Sequence, residues 1–124
     1  MRMIVAAPLL LAPVLAFAGS SNCDVPRNDF DGLYCLNKVY QQADTDLNKS
    51  FQTLNGKLNA EGKAKLKRGQ LEWIRQRNQQ CSMRRDNAFY VNLECATSTT
   101  VERARFLQDR VRECVSAGCR NSQL

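Results

Sequence analysis

Six cysteines without a single histidine constrain this chain more than any other feature of its 124 residues. What those thiols do depends on the compartment, and the start of the chain indicates which one. Met1-Arg2-Met3 is a short basic start, Ile4 to Phe17 is apolar apart from Pro8 and Pro13, and Ala16-Phe17-Ala18 is an A-x-A cleavage site. Residues 1–18 therefore read as a secretory signal peptide, too short and too interrupted by proline to remain as a membrane span. Gly19-Ser20-Ser21-Asn22 ahead of Cys23 lacks the apolar residue of a bacterial lipobox. Residues 19–124 are accordingly expected to form one soluble domain, periplasmic or secreted, with no membrane span in the mature form. Cys23, Cys35, Cys81, Cys95, Cys114 and Cys119 all lie in that part. An even number in an oxidising compartment predicts three disulfides, each contributing about 2–4 kcal/mol, mainly by restricting the unfolded chain.

The cross-links matter because the core is thin. Leu, Ile, Val and Phe make up 21 of the 106 residues after Ala18, close to the level below which chains stay disordered. The expected pairing is local, with Cys23–Cys35, Cys81–Cys95 and Cys114–Cys119; the competing choice links Cys35 to Cys81 across a helical hairpin. Metal binding is not expected, since there is no histidine and no C-x-x-C spacing. The same inventory removes Ser-His-Asp and Cys-His catalysis, and oxidised cysteines are not nucleophiles. No glycine-rich phosphate loop is present, and the carboxylates follow no pattern beyond that of a solvated helix face. We expect no enzyme and no cofactor.

Helical periodicity dominates the rest. Leu36, Tyr40, Ala43, Leu47, Phe51, Leu54 and Leu58 recur at steps of three and four, one stripe of an amphipathic helix. Asp29 or Asp31 is a candidate cap upstream, and Asn59 to Gly62 reads as a tight connection. A second helix is predicted from about Lys63 to Cys81, with Leu66, Trp73, Ile74, Arg77 and Cys81 inward. Gly69 inside it costs about 1 kcal/mol relative to alanine, which suggests a neighbouring backbone close by. Ser82 to Asn92 reads as a looser segment. A third helix is expected to start near Thr99, where Thr99-x-x-Glu102 fits a capping box, and to carry Ala104, Leu107, Val111 and Cys114 inward. Residues 120–123 are expected to fray. The predicted fold is all-α: a small antiparallel three-helix bundle with a long helical hairpin, stapled by disulfides.

Three motifs then stand out in order. They are Ala43-Asp44-x-Asp46-Leu47-Asn48-x-x-Phe51, Gly69-Gln70-x-x-Trp73 with Arg77-Asn78-x-x-Cys81, and Cys95-x-x-x-x-Thr100-x-x-Arg103-x-x-x-Leu107. Together they resemble the signatures of the LprI-like lysozyme inhibitor family. Phe51 stands where the family has tyrosine, Gly69 where it has alanine and Asn78 where it has aspartate, and Cys114 and Cys119 lie beyond its four-cysteine pattern. The resemblance implies an exported helical protein that binds and inhibits a lysozyme-type peptidoglycan hydrolase.

Asp44, Asn48, Gln70, Arg77, Thr100 and Arg103 are the polar members of those motifs. They are expected to hydrogen-bond across the helices more readily than to form a contact surface, with Arg103 paired to Asp44. Trp73 is read as a core aromatic, its alternative being an exposed anchor. Phe89 and Tyr90, with Val91, are the candidate contact group; the alternative is a loop folded back over the core. Lys57, Lys63, Lys65, Lys67 and Arg68 cluster in sequence, and arginines line the third helix. They leave open a second reading, a basic module for anionic envelope polymers or an acidic envelope protein. Nucleic acid is excluded as a partner by export. The mature charge of +5, from seventeen basic and twelve acidic side chains, opposes approach to a strongly basic lysozyme. A local acidic patch at Asp24, Asp29 and Asp31 would ease that approach.

Overall fold

The computed structural model describes residues 23–124. The expected signal peptide and its cleavage site at Ala18 lie outside the described residues. Three helices follow one another: α1 (Asp29–Lys57), α2 (Ala60–Cys81) and α3 (Leu93–Ala117). A two-stranded antiparallel sheet, β1 (Ser82–Arg85) and β2 (Ala88–Val91), separates α2 from α3, and a 3₁₀ turn (Asn121–Gln123) closes the chain. No helix among the described residues is long and apolar enough to cross a membrane.

Each helix begins at an asparagine. Asn28, Asn59 and Asn92 accept from the backbone N–H groups of Asp31, Gly62 and Cys95, satisfying donors that the first turn leaves free. Asn28 thus does the capping expected of Asp29 or Asp31, and α1 starts well before its apolar stripe. The connection to α2 shrinks to Leu58 and Asn59, because Asn59 itself caps and Gly62 is already helical. The third helix likewise starts at Leu93 rather than near Thr99. Thr99 and Glu102 fall in its interior, where no capping box can form, and the Thr99 hydroxyl lies 3.8 Å from Cys81 Sγ.

The α1 stripe read from the sequence faces inward along its length: Ala43, Leu47, Leu54 and Leu58 are buried, and Leu36, Tyr40 and Phe51 are half-buried. The continuous core comprises Leu47, Leu54, Leu58, Leu66, Ala104 and Leu107, with Phe51, Trp73 and Phe106 packed against it. Trp73 is therefore a partly buried packing residue. α2 runs against the direction of the other two: Gln70 bonds Arg103, and Lys65 Nζ bonds the Asn121 carbonyl at 3.3 Å. α3 runs alongside α1 in the same direction, with Tyr40 opposite Leu93 and Ala96, and Thr53 opposite Val111.

The closest helix pair is α1 with α3, not the α1–α2 hairpin expected from the sequence. Side-chain size explains the choice. Ala43 and Ser50 on α1, and Ala96, Thr97, Thr100 and Ala104 on α3, are small and buried, so these two backbones approach closely. The bulkier Leu66, Trp73 and Ile74 hold α2 further off.

All six cysteines are oxidised, in the local scheme: Cys23–Cys35, Cys81–Cys95 and Cys114–Cys119. The first ties the lead to α1, the second joins the end of α2 to the first turn of α3, and the third folds the C-terminus back. The tail is held rather than frayed. Arg120 pairs with Glu113 at 3.1 Å, Asn121 donates to Asn59 Oδ1 at 3.0 Å, and Arg110 donates to Gln123 at 3.1 Å.

The two glycines of α2 differ in a way the sequence did not reveal. At Gly69 no backbone comes close; a methyl group there would meet only Arg103 Nη2, at 3.7 Å. At Gly62 a methyl group would strike Asn121 Oδ1 at 2.5 Å and touch the Leu58 side chain at 3.1 Å. The close approach that demands glycine is thus at the α1–α2 corner, where the tail lies down.

Candidate functional site

The segment expected to be loose, Ser82 to Asn92, is an ordered β-hairpin. Ser82 pairs with Val91, Met83 with Tyr90, Arg84 with Phe89 and Arg85 with Ala88. Asp86 and Asn87 turn the chain with φ of 50° and 62°, the left-handed pair of a type I′ turn, whose twist matches that of the flanking strands. Asp and Asn tolerate this region better than other non-glycine residues. The base is clamped twice, by the Asn92 N–H bonded to the Cys81 carbonyl at 2.8 Å and by the Cys81–Cys95 disulfide.

Met83, Phe89, Tyr90 and Val91 are each more than half exposed, at 64%, 66%, 52% and 56%. Exposed apolar groups gathered on one short ordered element mark a contact surface better than scattered ones do. Strand alternation divides them: Phe89 and Val91 share one face with Ser82 and Arg84, and Met83 and Tyr90 share the other with Arg85. The first face borders a cleft of about 250 Å³ whose walls include Tyr40, Arg77, Asn78, Phe89, Val91 and Leu93. Met83, Arg85 and Tyr90 border a more open hollow on the other side.

The polar motif residues fall into separate small groups. Arg77 stacks over the Trp73 ring at 5.0 Å and donates Nε and Nη2 to Asn78 Oδ1 at 3.3 and 3.1 Å. A neutral asparagine thus orients this arginine where the family motif has an aspartate. Arg103 donates Nε to buried Gln70 at 2.9 Å and lies over the Phe106 ring at 4.8 Å. Burial lowers its pKa, yet a guanidinium stays protonated. Among the described residues Arg103 forms no ion pair, so the expected bond to Asp44 is replaced by the one to Gln70. Asp44 instead accepts from Asn48 at 3.3 Å, one turn along α1. Thr100 is fully buried and its hydroxyl has no partner among the described residues.

At the start of α1, Asp31 accepts from the Arg27 side chain at 2.9 Å, while Asp24 and Asp29 have no ion-pair partner among the described residues. Phe30 beside them is 85% exposed. Among the described residues no three His, Cys, Asp or Glu side chains come together in a way that could hold a metal ion.

A family model described as the lysozyme inhibitor LprI matches residues 23–107. The chain belongs to the LprI family. That family implies a non-catalytic role as a lysozyme inhibitor, acting through a protein partner. No curated protein and no solved structure matches the chain. The matched span contains the hairpin and the first two disulfides and ends at Leu107, so Cys114–Cys119 and the folded-back tail lie beyond it.

The hairpin could have been found in the sequence. Phe89-Tyr90-Val91 is a strongly β-prone run, and Asp86-Asn87 sits where a two-residue turn belongs. The opposing Ser-Met-Arg-Arg strand carries no such signal and masks the pair.

Proposed function

We propose that the protein, exported by residues 1–18 and acting as the domain 19–124, blocks a lysozyme-type peptidoglycan hydrolase by steric occlusion of its cleft with the β82–91 hairpin. The observation that carries this reading is the exposure of Met83, Phe89, Tyr90 and Val91 on a hairpin clamped at its base. Phe, Tyr and Met are enriched in the buried centres of protein interfaces, and a side chain already held in place loses less entropy on binding than one on a floppy loop. The helices then serve as a handle that orients the hairpin. Asp24 and Asp29 near the start of α1, without an ion-pair partner among the described residues, offset the overall positive charge locally when the target is basic.

The test is a panel of animal and bacterial muramidases assayed with the purified chain at low and physiological salt. The expected result is stoichiometric inhibition of at least one enzyme that survives physiological salt, because a packed apolar contact is little screened. Inhibition that collapses steeply with salt would assign the contact to the lysine-rich corner of Lys57, Lys63, Lys65, Lys67 and Arg68 instead. Absence of inhibition across the panel would refute the reading.

A further inference from the structure

We propose that Arg84, near the hairpin tip, is the specificity-determining contact of the inhibitor and binds a catalytic carboxylate inside the cleft of the target hydrolase. The inference rests on the inhibitory reading above and names the chemistry of its contact.

The argument starts from where charge is left over on the hairpin. Arg84 and Arg85 lie on the last two positions of β1, beside the Asp86-Asn87 turn, and both are exposed. Arg85 has Asp86 beside it, Nε to Oδ2 at 3.7 Å, which partly offsets its charge. Arg84 forms no ion pair and no side-chain hydrogen bond among the described residues. Elsewhere among the described residues, Arg27, Arg75, Arg110, Arg112 and Arg120 are each paired with a carboxylate, Arg77 and Arg103 bond neighbouring amides, and the other free arginines, Arg68 and Arg105, lie exposed on α2 and α3 rather than on the hairpin. Arg84 is thus a free, exposed guanidinium on an ordered element, beside a shallow hollow shared with Arg75 and Gln79 at the end of α2.

Its neighbours complete the picture. Arg84 is directly opposite Phe89, on the face that also carries Val91. An arginine near the tip with an aromatic ring beside it suits a cleft that combines buried acids with apolar sugar-binding walls. Glycoside hydrolases of the lysozyme kind hold two carboxyl groups about 5–9.5 Å apart on either side of the scissile bond. A guanidinium offers planar paired donors to such a carboxylate, and the bond strengthens in a cleft from which the hairpin has displaced water. The same contact answers the objection from net charge: a hydrolase that is basic overall still holds its acids in the cleft, which is where this arginine would arrive. An acidic cleft in a glycan hydrolase, rather than an acidic polymer surface, is the partner favoured by one free arginine on the hairpin with apolar groups beside it.

The experiment is a double-mutant cycle between inhibitor and enzyme, using a muramidase that the wild-type chain inhibits. Binding is measured calorimetrically for wild type, Arg84→Ala, Arg84→Lys and Arg85→Ala against the native enzyme and against its catalytic Glu→Gln variant. Unchanged circular dichroism and melting temperature verify that the exposed substitutions leave the fold intact. The expected result is at least a tenfold loss for Arg84→Ala on the native enzyme, a smaller loss for Arg84→Lys, little change for Arg85→Ala, and near-equal binding of wild type and Arg84→Ala to the Glu→Gln enzyme. Wild-type inhibition together with full-strength binding by Arg84→Ala, or equal losses on both enzymes, would overturn the proposal and leave the inhibitory function standing. A wild-type chain that inhibits no muramidase would remove both.

Discussion

The same substitution, glycine to alanine, should act with opposite signs at two positions seven residues apart in α2. At Gly69 the added methyl group points into space bounded only by Arg103 Nη2 at 3.7 Å, an ordinary contact distance. Nothing has to move, and the position lies mid-helix, where alanine exceeds glycine by about 1 kcal/mol through restriction of the unfolded chain. At Gly62 the methyl group would lie 2.5 Å from Asn121 Oδ1 and 3.1–3.2 Å from the Leu58 side chain. The Asn121 side chain must turn aside, giving up its bond to Asn59, worth about 1 kcal/mol, and the Leu58 side chain must shift at an overpacking cost of about 1 kcal/mol. The helix-propensity gain is smaller there because Gly62 sits in the first turn. Gly69→Ala should therefore stabilise by about 1 kcal/mol and Gly62→Ala destabilise by about 1–2 kcal/mol. In a domain of this size those values correspond to melting temperatures raised by roughly 4–8 °C and lowered by roughly 4–16 °C. Urea unfolding of both variants and wild type, fitted with a common m-value, measures the difference. Equal effects at the two sites would refute the reasoning, since the argument rests on the tail lying against one glycine and not the other.

Three further outcomes can be checked. Replacing Cys81 and Cys95 together by alanine should cost about 3 kcal/mol, the chain-entropy value for a loop of this length, and should raise hydrogen exchange across Ser82–Val91; unchanged exchange there would mean that the backbone bond at the base holds the hairpin alone. Thr100→Val removes a buried hydroxyl that has no partner among the described residues while keeping its shape, so unfolding should need about 1 kcal/mol more, and a destabilised variant would reveal a hidden bond to that hydroxyl. Phe89→Ala and Tyr90→Ala, both more than half exposed, should leave the melting temperature nearly unchanged and weaken muramidase inhibition at least tenfold in one of the two; inhibition unaltered in both would move the contact off the hairpin.

Much of this molecule was legible in one dimension. The α1 stripe from Leu36 to Leu58 faces inward as its spacing requires, because a helical period written in apolar residues leaves one face to bury. The six cysteines specified oxidation, and the short gaps between partners favoured local pairing. Three motifs in order pointed to the LprI family, to which the chain belongs. Tertiary structure decided the rest. Which helix lies nearest to α1 depends on how closely two backbones can approach, and small side chains at Ala43, Ser50, Ala96 and Ala104 settle it in favour of α3, from the far end of the chain. Arg103 finds Gln70 rather than Asp44 because α2, not α1, brings a carbonyl oxygen within its reach. The Gly62 contact and the anchored tail join residues about sixty apart, and the hairpin needs a partner strand whose own composition is not β-like. Local periodicity reports which face of an element is apolar; it carries no record of what that face, or an unpaired polar group, will meet.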